Sequence, residues 1–184
     1  LRFDIVEFCA YDVLILKRPN AENDHPEDRI QEARRRLNTW SESKIAELER
    51  NLIDWVPARE TIYDRESFIR QLDAYRDIDT EGMRESLFAF VMEIAPVAEE
   101  EGVRLAIHPD DPPFPLFGLP RVNSTADDTR KLLMAIASPA NGVTLCTGSY
   151  GANRTNDLVA MAREFGPRIH FAHLRNTSHE DDGS

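Results

Sequence analysis

Three short apolar runs in the second half of the chain each end in a residue capable of chemistry. RLAIHPDD (104–111) contains His108, VTLCTGS (143–149) contains Cys146, and RIHFAHLRN (168–176) contains His173 and Arg175. Runs of this length, apolar or β-branched and followed by polar loop residues, predict strands near 103–108, 143–147 and 168–174. Between them the period changes to a helical one, through Leu132, Leu133 and Ile136, and again over 156–165. Strand, loop and helix in repeated succession predict an α/β fold with parallel strands. In such folds the carboxyl ends of the strands share one edge, where sites are built.

The first half has a different texture. From Glu27 onward the pattern is helical, over 29–37, over 41–51 with Ile45, Leu48 and Leu52, and over 64–75 with Phe68, Ile69 and Leu72. Residues 19–75 therefore read as a loop and helical insertion, the helices lying near 27–75, with Pro57 as a break. Residues 1–28 keep no clean period, and a strand or insertion near Tyr11–Leu16 is the expectation there. Thr80 is expected to cap a long helix carrying Met83, Leu87, Phe90, Val91 and Ile94, kinked or divided at Pro96 and stopped by Gly102. Residues 109–123 hold five prolines in fifteen positions, too stiff for a linker and too long for a simple connection, which marks a functional loop. Ser124 and Asp127 are spaced as a capping box for the next helix.

Composition narrows the class of function. The 184 residues suit a single domain, and 41% hydrophobic with 30% charged residues is an ordinary globular balance. No run of about 18 apolar residues spans a membrane. A net charge of −11 disfavours binding to nucleic acid or anionic membranes, but Arg121, Arg154 and Arg175 lie in loops where a small anion could still be met. Charged residues in Leu1–Tyr11 argue against a secretory leader, and Cys9 and Cys146 form no CxxC pair. A reducing cytoplasm is the expected location. A homo-oligomer is compatible with the sequence and not specified by it.

His108, Cys146 and His173 are separated by 38 and 27 residues, each fitting one strand-to-strand step through a crossover helix. Two imidazoles and a thiolate form a ligand set for a divalent transition metal. Each residue also has a plainer role. His108 could hydrogen-bond Asp110 or Asp111, and Cys146 could be a small buried apolar residue. Alternation along 168–174 puts Phe171, His173 and Arg175 on one side and His170 on the other, so His170 is expected outward against helices and His173 at the rim. Asp110 and Asp111 could orient His108, accept substrate hydroxyls or simply make a turn. Arg175 first and Arg121 second are candidates for a substrate carboxylate, with Asn176 beside them. There is no G-x-G-x-x-G, no P-loop and no nucleophile elbow around Ser149.

The stretches AIHPDDPPFPLFGLPR, NGVTLCTGSYGANRTND and RIHFAHLRNTSHED, with LKRP near Lys17–Pro19, resemble the mannonate dehydratase family. That resemblance implies a (β/α)₈ TIM barrel of the xylose-isomerase-like group, acting on D-mannonate to give 2-keto-3-deoxy-D-gluconate with a divalent metal, Mn²⁺ before Fe²⁺. The family holds its metal with two histidines, a cysteine and an aspartate, and His108, Cys146 and His173 match the first three. Family members are about twice as long, so the chain is expected to be a middle section of the barrel, inactive alone. The aspartate and the acid/base residues would then lie beyond Ser184. Two other readings are a metal-dependent sugar isomerase or epimerase on the same barrel and a metal-free binding or scaffold protein.

Overall fold

The computed structural model describes residues 4–54 and 64–180, and the expected break at Pro57 lies outside them. It shows a mixed α/β protein with a short parallel sheet, divided into two compact units. The first comprises residues 1–77, 117–119 and 180–184, and the second residues 78–116 and 120–179. Among the described residues no helix is long and apolar enough to cross a membrane.

The first unit is helical from its start. Asp4 Oδ1 accepts the amides of Val6 and Glu7 at 3.0 and 3.1 Å, opening α1 (Ile5–Cys9), which runs directly into a π-helical turn over Ala10–Ile15. The strand expected near Tyr11–Leu16 is therefore overturned. Phe8, Cys9, Ala10, Tyr11, Asp12 and Val13 are all buried, and a helix covered on every side loses the polar face that would have betrayed its period. Three further α-helices follow, α2 (Glu27–Leu37), α3 (Glu42–Asp54) and α4 (Arg65–Asp73), over the stretches whose period is helical. Ile30 and Ala33 of α2 close a core with Val6, Cys9, Ala10, Val13 and Ala21. Phe117 joins this unit edge-on to Phe8 and Phe68, with ring centroids 5.0 Å apart in each case. Gly118 beside it has φ +75°, and a Cβ there would lie 2.7 Å from Arg18 Nη1.

In the second unit α5 (Thr80–Glu100) is capped by Asp79, one residue before the expected Thr80, through a 2.8 Å bond from the Gly82 amide. It is not divided at Pro96. The carbonyl that loses its donor there belongs to Met92, on an exposed stretch of the helix where Phe90, Met92 and Val97 all reach the surface. Val91 and Ala95 bury against Leu132 and Val143, with Leu105, Ile107 and Ile169 around them.

The sheet is shorter than the sequence suggests. β1 (Val143–Cys146) pairs in parallel with β2 (Ile169–His173), whereas the strand expected near 103–108 is reduced to one parallel bridge, Ile107 with Val143. Its neighbours explain this. The Val103 amide is taken by Ala98 O at 2.7 Å, and Pro109 has no donor, so pairing is confined to Leu105 and Ile107, which donate to Ala140 O and Gly142 O at 2.9 and 3.0 Å. α6 (Ala126–Met134) opens with a true capping box, formed by Thr125 and Asp128 and not by Ser124 and Asp127. Directly after β1 comes α7 (Thr147–Gly151), read from sequence as loop, and α8 (Leu158–Phe165) is capped by Asp157.

The register between β1 and β2 shifts after Val143, which faces Ile169, while Thr144 faces Phe171. His170 is the additional residue of that bulge. Its ring lies where a Cβ on Gly142 would be, and its Nδ1 contacts Leu105 O at 2.6 Å. Gly142, Thr144 and Cys146 alternate onto one face of β1. His170 is consequently on the Cys146 face, contrary to the outward position expected, because the bulge resets the alternation. Replacing Gly142 by alanine drives a methyl into the His170 ring and the Arg168 carbonyl. The expected loss is about 1–3 kcal/mol of stability, read from denaturant unfolding.

Candidate metal centre

His108 leaves the Ile107 bridge at the start of the proline-rich loop, and its Nδ1 lies 2.7 Å from Pro109 O. A carbonyl only accepts, so Nδ1 carries the proton and Nε2 keeps its lone pair. Cys146 ends β1 and is fully buried, and His173 ends β2 directly opposite it in the register. His173 Nδ1 is 3.4 Å from His108 Nε2 and 3.6 Å from Cys146 Sγ, and one donor atom from each of the three residues falls within 4.8 Å of the others. A tetrahedral ion with bonds of about 2.0–2.1 Å to nitrogen and about 2.3 Å to sulfur separates N from N by roughly 3.4 Å and N from S by roughly 3.6 Å. The donor types suit one divalent cation, and the two separations made by His173 match its coordination distances.

The sulfur has further company. Ser149 Oγ and the Ser149 amide reach Sγ at 3.2 and 3.4 Å, and Arg175 Nη2 at 3.5 Å. Burial opposes ionisation of this thiol, but the Ser149 hydrogen bonds and then the Arg175 guanidinium outweigh it and hold the Cys146 pKa below its ordinary value. Arg175 is anchored in turn. Nη2 donates to Asp111 Oδ2 at 2.5 Å and to Ser149 Oγ at 2.8 Å, and the Asp111 bond is the first cause of its raised pKa.

The remaining sequence candidates occupy different positions. Asp110 Oδ2 accepts from Val122 N, Asn123 N and Ser124 Oγ at 2.9, 2.8 and 3.0 Å, which closes the proline-rich loop on itself. Arg121 is half-buried and donates through Nε to Phe114 O at 3.3 Å. Asn176 is exposed beyond β2. Ser149 and Asn123 were not foreseen in the roles they hold. Asn123 Nδ2 donates to His108 O at 3.2 Å, and the buried Tyr150 hydroxyl donates to Asn123 Oδ1 at 3.3 Å. The available signal for Ser149 was its spacing: in Cys-x-x-Ser at a strand-to-helix junction, the third residue of the first turn points its amide and side chain back at the cap.

Parallel strands carrying two imidazoles and a thiol to one edge define an α/β protein with a candidate divalent-metal site. The sequence model of the D-mannonate dehydratase (UxuA) family matches residues 11–184. The chain belongs to that family. It is 52% identical to a mannonate dehydratase of Saccharophagus degradans and 51% identical to mannonate dehydratase 2 of Agrobacterium fabrum, in both cases over 100% of the chain and 46% of the relative. It thus spans about half the length of the curated relatives it matches. The crystal structure of mannonate dehydratase from Streptococcus suis serotype 2 superimposes with a TM-score of 0.57 at 40% identity, covering 59% of this chain and 32% of that one.

Proposed function

We propose that this chain carries the metal-binding edge of a hydro-lyase that converts D-mannonate to 2-keto-3-deoxy-D-gluconate in hexuronate breakdown in the cytoplasm. The observation that supports it most is the convergence of His108, Cys146 and His173, whose ligand atoms lie within 4.8 Å of one another, in a chain of this family. The second unit reads as successive strand–helix steps of a (β/α)₈ barrel within a single domain, since its parallel pairings run from Ile107 to β1 to β2 with helices between them.

His108 Nε2, Cys146 Sγ and His173 Nδ1 are the atoms that would hold the cation. Mn²⁺ is the first candidate by family resemblance, and Fe²⁺ is kept because a thiolate is softer than Mn²⁺ prefers. When bound, the cation supplies Lewis-acid polarisation of the sugar acid, which makes the proton next to the carboxylate easier to remove. The overall reaction removes that proton from C2 and the hydroxyl from C3 as one water, and the enol left behind becomes the ketone. The Pro109 carbonyl fixes the tautomer of His108. Arg175, 41% exposed beside the sulfur and already holding the Asp111 carboxylate, is placed to exchange that partner for the carboxylate of the substrate. Arg121, Asp110 and Asn176 line the same reading as further substrate contacts. Proton transfer is assigned to no residue of this chain.

The test is an assay of the full-length protein against D-mannonate and against free aldoses, with and without chelation. Expected are one divalent metal per chain and mannonate turnover lost on chelation. Turnover of aldoses alone would replace dehydration by isomerisation, and a metal-free protein without turnover would leave a scaffold.

A further inference from the structure

The sulfur of Cys146 is approached by more donors than a neutral thiol calls for. We infer that Ser149 is a positioning residue that tunes this sulfur as a metal ligand, and that Arg175 and Asp111 hold the serine hydroxyl in the orientation required. The inference rests on the metal reading above and concerns how the ligand is set and not whether it is one.

Ser149 is 1% exposed, so its hydroxyl must find its partners inside the protein. It has two, and they differ in kind. Arg175 Nη2 at 2.8 Å can only donate, which makes Ser149 Oγ the acceptor there and turns its own proton toward Sγ at 3.2 Å. The chain of contacts is thus fixed from Asp111 to the sulfur: the carboxylate accepts from the guanidinium, the guanidinium donates to the hydroxyl oxygen, and the hydroxyl donates its proton to sulfur. The backbone is built to keep Arg175 there. Thr147 Oγ1 accepts the Arg175 amide at 2.9 Å and donates to the Arg175 carbonyl at 2.6 Å. Gly148 leaves room for the side chain, since a Cβ on it would lie 2.6 Å from Arg175 Nε and 2.9 Å from Arg175 Cβ.

Hydrogen bonds to a thiolate stabilise its lone pairs, so less charge passes to the cation and the cation remains a stronger Lewis acid. The same stabilisation raises the energy needed to move an electron from sulfur to metal. Cobalt(II) reports that energy as a sulfur-to-cobalt charge-transfer band, which needs no turnover to be read. In the full-length protein loaded with one Co²⁺ per chain, Ser149→Ala is expected to move this band to longer wavelength. Asp111→Asn, which loosens Arg175 while leaving the serine, is expected to give a smaller shift in the same direction. A band present in the parent protein and unmoved in both variants overturns the inference while leaving the metal site intact. Absence of the band from the cobalt-loaded parent overturns the metal reading itself. If Ser149→Ala does not fold, Asp111→Asn decides alone, because its side chain is 40% exposed and its replacement spares the core.

Discussion

Cys146→Ser in the full-length protein is expected to abolish stoichiometric metal binding and to lower mannonate turnover by about 10³-fold. The substitution changes little sterically at a site that is fully buried. Its effect is electronic: a serine hydroxyl does not ionise near neutral pH, so the only anionic donor among the three is lost. The two imidazoles that remain, 3.4 Å apart, are neutral ligands and make a weaker site. Lewis-acid stabilisation of developing charge is worth several kcal/mol, and at about 1.4 kcal/mol per decade a loss of about 4 kcal/mol corresponds to about 10³ in rate. Elemental analysis and steady-state kinetics on the same sample check both halves of the prediction, with circular dichroism confirming that the fold survives. Full metal content together with full turnover would remove Cys146 from the site.

The convergence of the three candidate donors was legible because parallel strands announce themselves as short continuous apolar runs, and the end of such a run falls at the carboxyl edge whatever the details of pairing. Cys146 needed only that, and His173 also the alternation that separates it from His170. His170 did not follow, since a single bulged residue reverses the side to which everything before it points, and nothing in RIHFAHLRN distinguishes a bulge from plain alternation. The helix at Ile5–Ile15 was hidden for the opposite reason, burial on all sides. α7 was hidden by its length and by Gly148 and Gly151, both poor helix formers that read as loop. The capping box moved by one residue because Ser124 and Thr125 offer adjacent hydroxyls, with Asp127 and Asp128 equally spaced from them, and only the backbone chooses between the two pairs. The grip of Ser149 and Arg175 on the sulfur depends on a turn of helix meeting a side chain from the segment after β2, a tertiary fact that no local pattern encodes.

The largest stability effect is expected in the first unit, where Asp12→Ala should cost about 3 kcal/mol or more. Asp12 is fully buried, and both of its oxygens are engaged by Arg18, Nε to Oδ1 and Nη2 to Oδ2, each at 2.8 Å. His25 Nε2 is 3.2 Å from Oδ2. Removing the carboxylate strands a guanidinium whose side chain is only 14% exposed. Asp24, 2.5 Å from Arg18 and 43% exposed, compensates in part, which places the cost toward the lower end of the usual range of about 3–5 kcal/mol for a broken buried pair. The pH dependence identifies the carboxylate as the cause. Burial alone would raise the Asp12 pKa, but the hydrogen bonds from His25 and Arg18 outweigh burial and hold it below the ordinary carboxylate value. A group whose pKa is lower in the folded state binds its proton more readily when unfolded. Its contribution is therefore complete above the unfolded value of about 4 and is lost as pH falls through the lower folded value. Denaturant midpoints for the parent protein and Asp12→Asn should accordingly differ most near neutrality and converge in acid. A gap that stays constant from neutral pH into that acid range would show that Asp12 stabilises the unit by packing and not by charge.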